Sequence, residues 1–171
     1  GTEVKDVKSD LESVAGNATV NISDKDGNYV TSGVMKTGYK VSINNQSSTE
    51  VLEVIIKGDT SGDGEINALD LLQVVKYISG SYTLEGAYKE AADTSGDNEI
   101  NALDVLQMMP GIKIVVTPGM IELGKKEDEY NEKFGEQIAG VSDYVVLIGA
   151  EKTKPISQGL KRQGYDFDNF I

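Results

Sequence analysis

Residues 58–73 read GDTSGDGEINALDLLQ, and residues 92–107 read ADTSGDNEINALDVLQ. The two stretches lie 34 residues apart and agree at 13 of 16 positions, so one local structure is specified twice. Oxygen-bearing side chains recur at fixed intervals in each: Asp59, Ser61, Asp63, Asn67 and Asp70 in the first, Asp93, Ser95, Asp97, Asn101 and Asp104 in the second. Counted from the leading aspartate, these are positions one, three, five, nine and twelve. Alternate residues of a tight loop point inward, and this is the spacing with which a loop leading into a helix surrounds a calcium ion.

The ion's chemistry accounts for the intervals. Calcium takes about six to eight oxygens, so the seventh position, Glu65 or Glu99, adds its backbone carbonyl and the twelfth closes the shell bidentately from the first helical turn. Position six must turn with positive φ, which suits Gly64; Asn98 is the next most tolerant residue and predicts a slightly costlier second loop. Ile66 and Ile100, at position eight, are expected to pair across the loops. A single Asp-x-Ser-x-Asp-Gly stretch could be an ordinary polar turn, but two near-identical copies, each running into an apolar-periodic segment, favour two ions. Leu71, Leu72, Val74, Val75 and Ile78 predict a helix from Ala68 to Ser79, with Gly80 as its stop. Without metal the carboxylates of each loop repel one another, so binding and folding should be coupled.

Composition narrows the possibilities further. The 171 residues contain no histidine and no cysteine, which excludes zinc fingers, disulfide frameworks and thiol or Ser-His-Asp catalysis. Any metal must be a hard cation held by oxygen. The net charge of −12 is concentrated: residues 58–108 carry 10 acids and 2 bases, a balance of −8, and 8 of those acids lie inside the two twelve-residue loops. Such an acidic chain is poorly suited to nucleic acid or to an anionic membrane. No apolar run is long enough for a membrane span, and with 39% hydrophobic and 6% aromatic residues several small cores are expected rather than one large one. The N-terminus has neither an initiator Met nor a signal-like apolar stretch, as expected of a piece of a longer or processed chain.

Residues 58–107 resemble the dockerins, type I-like in pattern: two calcium loop-helix repeats without the incoming helix of a full EF-hand, joined by a linker such as SYTLEGAYKEAA, with Asp70 and Asp104 at position twelve. The resemblance implies a non-enzymatic, calcium-dependent module that binds a cohesin domain of a scaffold or surface protein. Such modules assemble cellulosomes and related polysaccharide-degrading complexes outside the cell or on its surface. It also implies that the residues at positions ten and eleven, Ala68, Leu69, Ala102 and Leu103, read the partner with help from Leu72 and Lys76. Helix-start packing is the competing role for the Ala-Leu pairs. The copies differ downstream, where Lys76 and Tyr77 correspond to Pro110 and Gly111. A Pro-Gly there ends the second helix early and leaves half of a symmetric face incomplete.

The flanks predict an α+β, multi-module chain: a small β module (1–57), the calcium repeats (58–108) and a βαβα fragment of Rossmann-like, parallel class (109–171). Val20 and Ile22, then Tyr39, Val41 and Ile43, then residues 51–56 alternate as strands, four short ones in all, with Asp26-Gly27 as a turn. Asp24, Asp26 and Asn28 mimic part of a calcium loop but fit a hairpin turn better. The sequons at Asn17, Asn21 and Asn45 are patterns expected by chance.

From Ile112, IKIVVT and YVVLIG read as strands, with helices over 128–139 (Tyr130, Phe134 and Ile138 one turn apart) and 155–163. The stretch from Gly119 to Lys126 falls one residue short of a phosphate-binding P-loop. Lys126 replaces the magnesium-binding hydroxyl and Glu122 would stand amid the phosphates, which argues against nucleotide. Residues 109–171, with MPGIKIVVTPGMIELG, NEKFGEQIA, DYVVLIG and TKPISQGL, resemble the C-terminal domain of the Mur ligase that adds D-alanyl-D-alanine to the cell-wall precursor. The resemblance implies a cytoplasmic enzyme fragment, incapable of ligation alone and cut off over 165–171 where a third strand should begin, and so a possible chimera with the calcium module.

Overall fold

The computed structural model describes residues 1–16, 18–45 and 47–166. Asn17 and Gln46 of two sequons, and residues 167–171 of the expected third strand, lie outside the described residues. Helices and small sheets are mixed, and the chain divides into two compact units, Gly1–Met108 and Met109–Ile171.

The first unit begins with α1 (Val4–Ala15), a helix that the strand pattern of its neighbours did not announce. Val4, Val7 and Leu11 share one side of it and pack on a core with Val20, Ile22, Met35 and Val41, whereas Val14 is left exposed. The strands are β1 (Thr19–Ser23), β2 (Lys40–Asn44) and β3 (Thr49–Glu53), antiparallel in the order β1-β2-β3. Val20 faces Ile43 and Ile22 faces Val41, so alternate residues of β1 and β2 meet on the core side. Among the described residues this sheet has three strands rather than the four expected. Residues 24–28 form the predicted turn, Asp24 accepting from the amides of Asp26 and Asn28, each at 2.9 Å, and the last strand stops at Glu53. The chain's first residues are stitched to the loop between β1 and β2, since the Met35 amide donates to Thr2 (2.9 Å) and the Val4 amide to Gly33 (2.8 Å).

The repeat segment supplies α2 (Ala68–Ile78), α3 (Gly86–Ala92) and α4 (Ala102–Met108). The linker between the copies thus contains a helix. Val74, Leu84, Ala92 and Met108 form its core, with Leu71, Tyr77, Tyr88, Ile100 and Val105 around them. The second copy's helix has 7 residues against 11 in the first and stops before Pro110, as the Pro-Gly pair requires.

In the second unit, β4 (Ile114–Thr117) and β5 (Tyr144–Leu147) pair in parallel. With α5 (Glu127–Ala139) and α6 (Lys154–Arg162) they complete the βαβα order. Val145, Ile138, Ile156 and Leu160 are buried between the pair and the helices, while Ile114 and Val116 remain exposed. The buried side of α5 is Asn131, Gly135 and Ile138 rather than the expected Tyr130, Phe134 and Ile138; Phe134 is partly buried and Tyr130 is exposed. Close helix contact rotates it so: a Cβ on Gly135 would run into the Ile156 carbonyl, and one on Gly159 into the Glu132 carbonyl. Gly135→Ala should therefore destabilise this unit by about 1–3 kcal/mol, read as a lowered denaturation midpoint, while Tyr130→Ala should change it by less than about 0.5 kcal/mol.

Candidate metal centre

Each loop hands its chain to a helix through the same device. Asn67 is the N-cap of α2: its side-chain oxygen accepts from the Leu69 amide (2.8 Å), and Asp70 reaches back to the Asn67 amide (2.9 Å). Asn101 and Asp104 repeat this at the start of α4, with Leu103 donating at 2.8 Å and Asn101 at 2.9 Å. Positions nine and twelve are thus already a capping box before any ion is considered.

The remaining carboxylate oxygens fold each loop over itself. Asp70 also accepts from the Ser61 amide (2.8 Å), and Asp104 from the Ser95 amide (2.9 Å). Asp59 accepts from the amides of Gly62 (2.9 Å) and Asp63 (3.1 Å), and Asp63 from that of Glu65 (2.8 Å). At position six Gly64 has φ 88° and Asn98 φ 67°, the left-handed turn the spacing calls for. Asp59, Asp70 and Asp104 are all 0% exposed, yet none of the ion pairs formed among the described residues reaches them.

Buried carboxylates without a cation are costly, even with amides on part of their lone pairs. Among the described residues, no group of three or more acidic side chains forms a metal-binding cluster, so an ion here needs the mixed oxygen set of the loop. One atom supports that fit: Ser61 Oγ, at position three, is buried and has no hydrogen-bond partner. It lies close enough to Asp63 to favour that carboxylate's charged form without a bond of good geometry. An oxygen donor left unpaired beside Asp59, Asp63 and Asp70 fits a hard cation. The donors available are the Asp59, Ser61, Asp63, Asn67 and Asp70 side chains with the Glu65 carbonyl, and in the second loop Asp93, Ser95, Asp97, Asn101 and Asp104 with the Glu99 carbonyl.

The two loops are not equivalent. Ser95 Oγ, unlike Ser61 Oγ, donates to Asp93 (3.2 Å). Asp59 is fully buried and its second oxygen accepts from the amide of Thr37 (2.9 Å), a residue 22 positions upstream, whereas the second oxygen of Asp93 takes the Asn98 amide of its own loop (3.2 Å) and the Lys57 ammonium at 3.8 Å. The Asp63 carboxyl is held below the ordinary carboxylate range, chiefly by the Glu65 amide against a smaller opposing effect of burial. Burial pushes the Asp93 carboxyl up, but the Gly96 and Asn98 amides, the Ser95 hydroxyl and Lys57 together hold it below that range. Thr37 carried no sign in the sequence, since nothing local marks an amide for a distant carboxylate. The expected pairing of Ile66 with Ile100 is not found: Ile66 is exposed and lies against Gly58, while Ile100 packs on the Val74 cluster.

The expected partner-reading residues lie at the helix starts. Ala68, Leu69, Leu72 and Lys76 are exposed on α2, and Val75 and Ile78 extend that apolar surface. On α4, Ala102 is exposed and Leu103 half-buried.

Residues 57–112 match the family model described as the dockerin type I domain. No curated protein and no solved structure matches the chain. Dockerin domains bind calcium and cohesin domains, and proteins that carry them are typically extracellular or on the cell surface. No helix among the described residues is long and apolar enough to cross a membrane.

Removing Asp70 leaves the Ser61 and Asn67 amides without their acceptor. Asp70→Ala should cost about 2–3 kcal/mol of stability even in chelator-treated buffer, measured by denaturant unfolding; Asp97→Ala, at an exposed loop position, should cost less than about 1 kcal/mol there.

Proposed function

We propose, from the dockerin type I match over residues 57–112, that this chain is a non-enzymatic adaptor that binds one calcium ion in each loop and through them a cohesin domain of a scaffold or surface protein. Its setting is an extracellular or cell-surface assembly of the cellulosome kind that acts on polysaccharide. The observation that carries the reading is the set of fully buried aspartates, Asp59, Asp70 and Asp104, that no ion pair among the described residues reaches, together with the Ser61 hydroxyl that lacks a hydrogen-bond partner. Two calcium ions would supply four positive charges and take the balance of residues 58–108 from −8 to −4.

The ions' work in this scheme is structural. Calcium draws the loop oxygens together and holds both helix starts in place, so a rigid apolar surface is offered instead of a fluctuating one. Leu69 and Leu72, with Ala68 beside them, give α2 exposed apolar anchors for a partner to bury, and Lys76 supplies a charge at their rim. Ala102 and Leu103 repeat only the first part of that surface, because α4 stops at Met108. The α2 face is therefore the stronger docking face, and the incomplete copy contributes less. The ligase-like wording of residues 109–171 draws no support from the comparisons, and neither an activity nor a chimeric origin is proposed for that unit.

Calorimetric calcium titration should give two sites, with a gain of far-UV helical signal that chelation reverses; no heat and no spectral change would sink the proposal. Cohesin capture should require calcium and vanish in Asp59→Ala/Asp93→Ala. Leu69→Asp/Leu72→Asp should keep both calcium sites yet weaken cohesin binding by about 2 kcal/mol or more, while Leu103→Asp should weaken it less, a ranking checked by surface-immobilised binding.

A further inference from the structure

We propose that the loop between β1 and β2, residues 34–38, is an integral wall of the first calcium site, so that occupancy of loop one and the folding of the N-terminal module are coupled, while loop two lacks that wall and depends on the module less. The inference rests on the calcium reading above and adds to it the residues that make the two sites unequal.

The contacts of residues 34–38 all bear on the first loop, whereas the second receives from the N-terminal module the half-exposed Lys57 ammonium, 3.8 Å from Asp93. The buried Thr37 amide donates to Asp59 Oδ2 (2.9 Å), the position-one carboxylate. Thr37 is in turn fixed by a reciprocal pair, its hydroxyl donating to the Ile56 carbonyl (3.3 Å) and accepting from the Ile56 amide (3.1 Å). A Cβ at Gly64 would stand 2.7 Å from Val34 Cγ2 and 3.2 Å from the Met35 carbonyl oxygen, and one at Gly62 would stand 3.1 Å from the Thr37 carbonyl oxygen. Loop two has no such wall: a Cβ at Gly96, the counterpart of Gly62, would meet nothing within 4 Å, and the counterpart of Gly64 is Asn98. Both sixth residues hold positive φ, which asparagine tolerates, so the local turn alone does not explain why only the first loop has glycine. Packing against Val34 does.

An amide from a separate segment that orients a ligand carboxylate fixes where its free oxygen points, and losing such a partner typically costs about 10–100-fold in metal affinity. Thr37 is thus a positioning residue, and Val34 and Met35 set how closely its segment rests on the loop. The segment is itself anchored through the Thr2–Met35 and Gly33–Val4 backbone bonds, so α1 and the sheet stand behind the site.

The full chain carrying Asp93→Ala isolates site one for calorimetry. In that background Gly64→Asn, which keeps a residue suited to positive φ, should weaken calcium binding at least about tenfold, and Val34→Ala should restore most of the loss. In the wild-type chain, calcium should slow hydrogen exchange of the Thr37 amide at least about tenfold, and Asp59→Ala should abolish that slowing. Two calcium ions bound by the wild type, with Gly64→Asn unchanged in affinity and Thr37 exchange indifferent to calcium, would overturn the coupling and leave the calcium reading intact. Absence of calcium binding by the wild type would overturn both.

Discussion

The first unit depends on carboxylates that are removed from water and made to organise backbone amides. An ionised carboxylate is costly to bury, and each of these is held by N–H groups of loops that would otherwise leave those groups unbonded. Asp70 alone ties position three to position nine and at the same time starts α2. The helix then turns Val74 into the repeat core and leaves Leu69 and Leu72 outside. Loop geometry, helix start and exposed face therefore share one cause. A cation that tightens the loop necessarily steadies the face.

The second unit is held by a different constraint, close approach of two backbones. Gly135 and Gly159 let α5 and α6 touch main chain to main chain, with Arg162 bridging Glu132 at 2.9 Å and Glu136 at 3.3 Å on the outside. Asn131 adds a buried polar tie, accepting from the Met120 amide (2.7 Å) and donating to the Met120 carbonyl (2.9 Å), which pins the turn after β4. That tie fixes the stretch that in sequence falls one residue short of a phosphate loop.

Much of the loop geometry of the candidate site was legible because it is set locally. The oxygen spacing, the positive-φ turns at Gly64 and Asn98 and the early end of α4 before Pro110 all follow from residues a few positions apart. The parallel β4–β5 pair was legible from apolar runs alternating with helix-period segments. What escaped was non-local. The helix α1 has its signal in Val4, Val7 and Leu11, but a short amphipathic stretch with a polar remainder acquires its stability only from the sheet it covers. The Ile66–Ile100 pairing failed because Ile66 sits against Gly58 while Ile100 joins the helix core. Thr37 was invisible because its role lies in a main-chain amide, which every residue but proline possesses.

The two loops have almost the same sequence but occupy different surroundings, and this bears on which substitutions each can accept. Around Gly64 and Gly62 a new side chain must be matched by a change at residues 34–37 or at Tyr88, so viable replacements should come in pairs. Around Gly96 an added Cβ would meet nothing within 4 Å, so its positive φ constrains it and no residue packed against it has to change in step. Substitutions in such a duplicated pair should therefore accumulate singly in the second copy and as correlated changes in the first. The difference at position six, glycine in one and asparagine in the other, matches that unequal freedom.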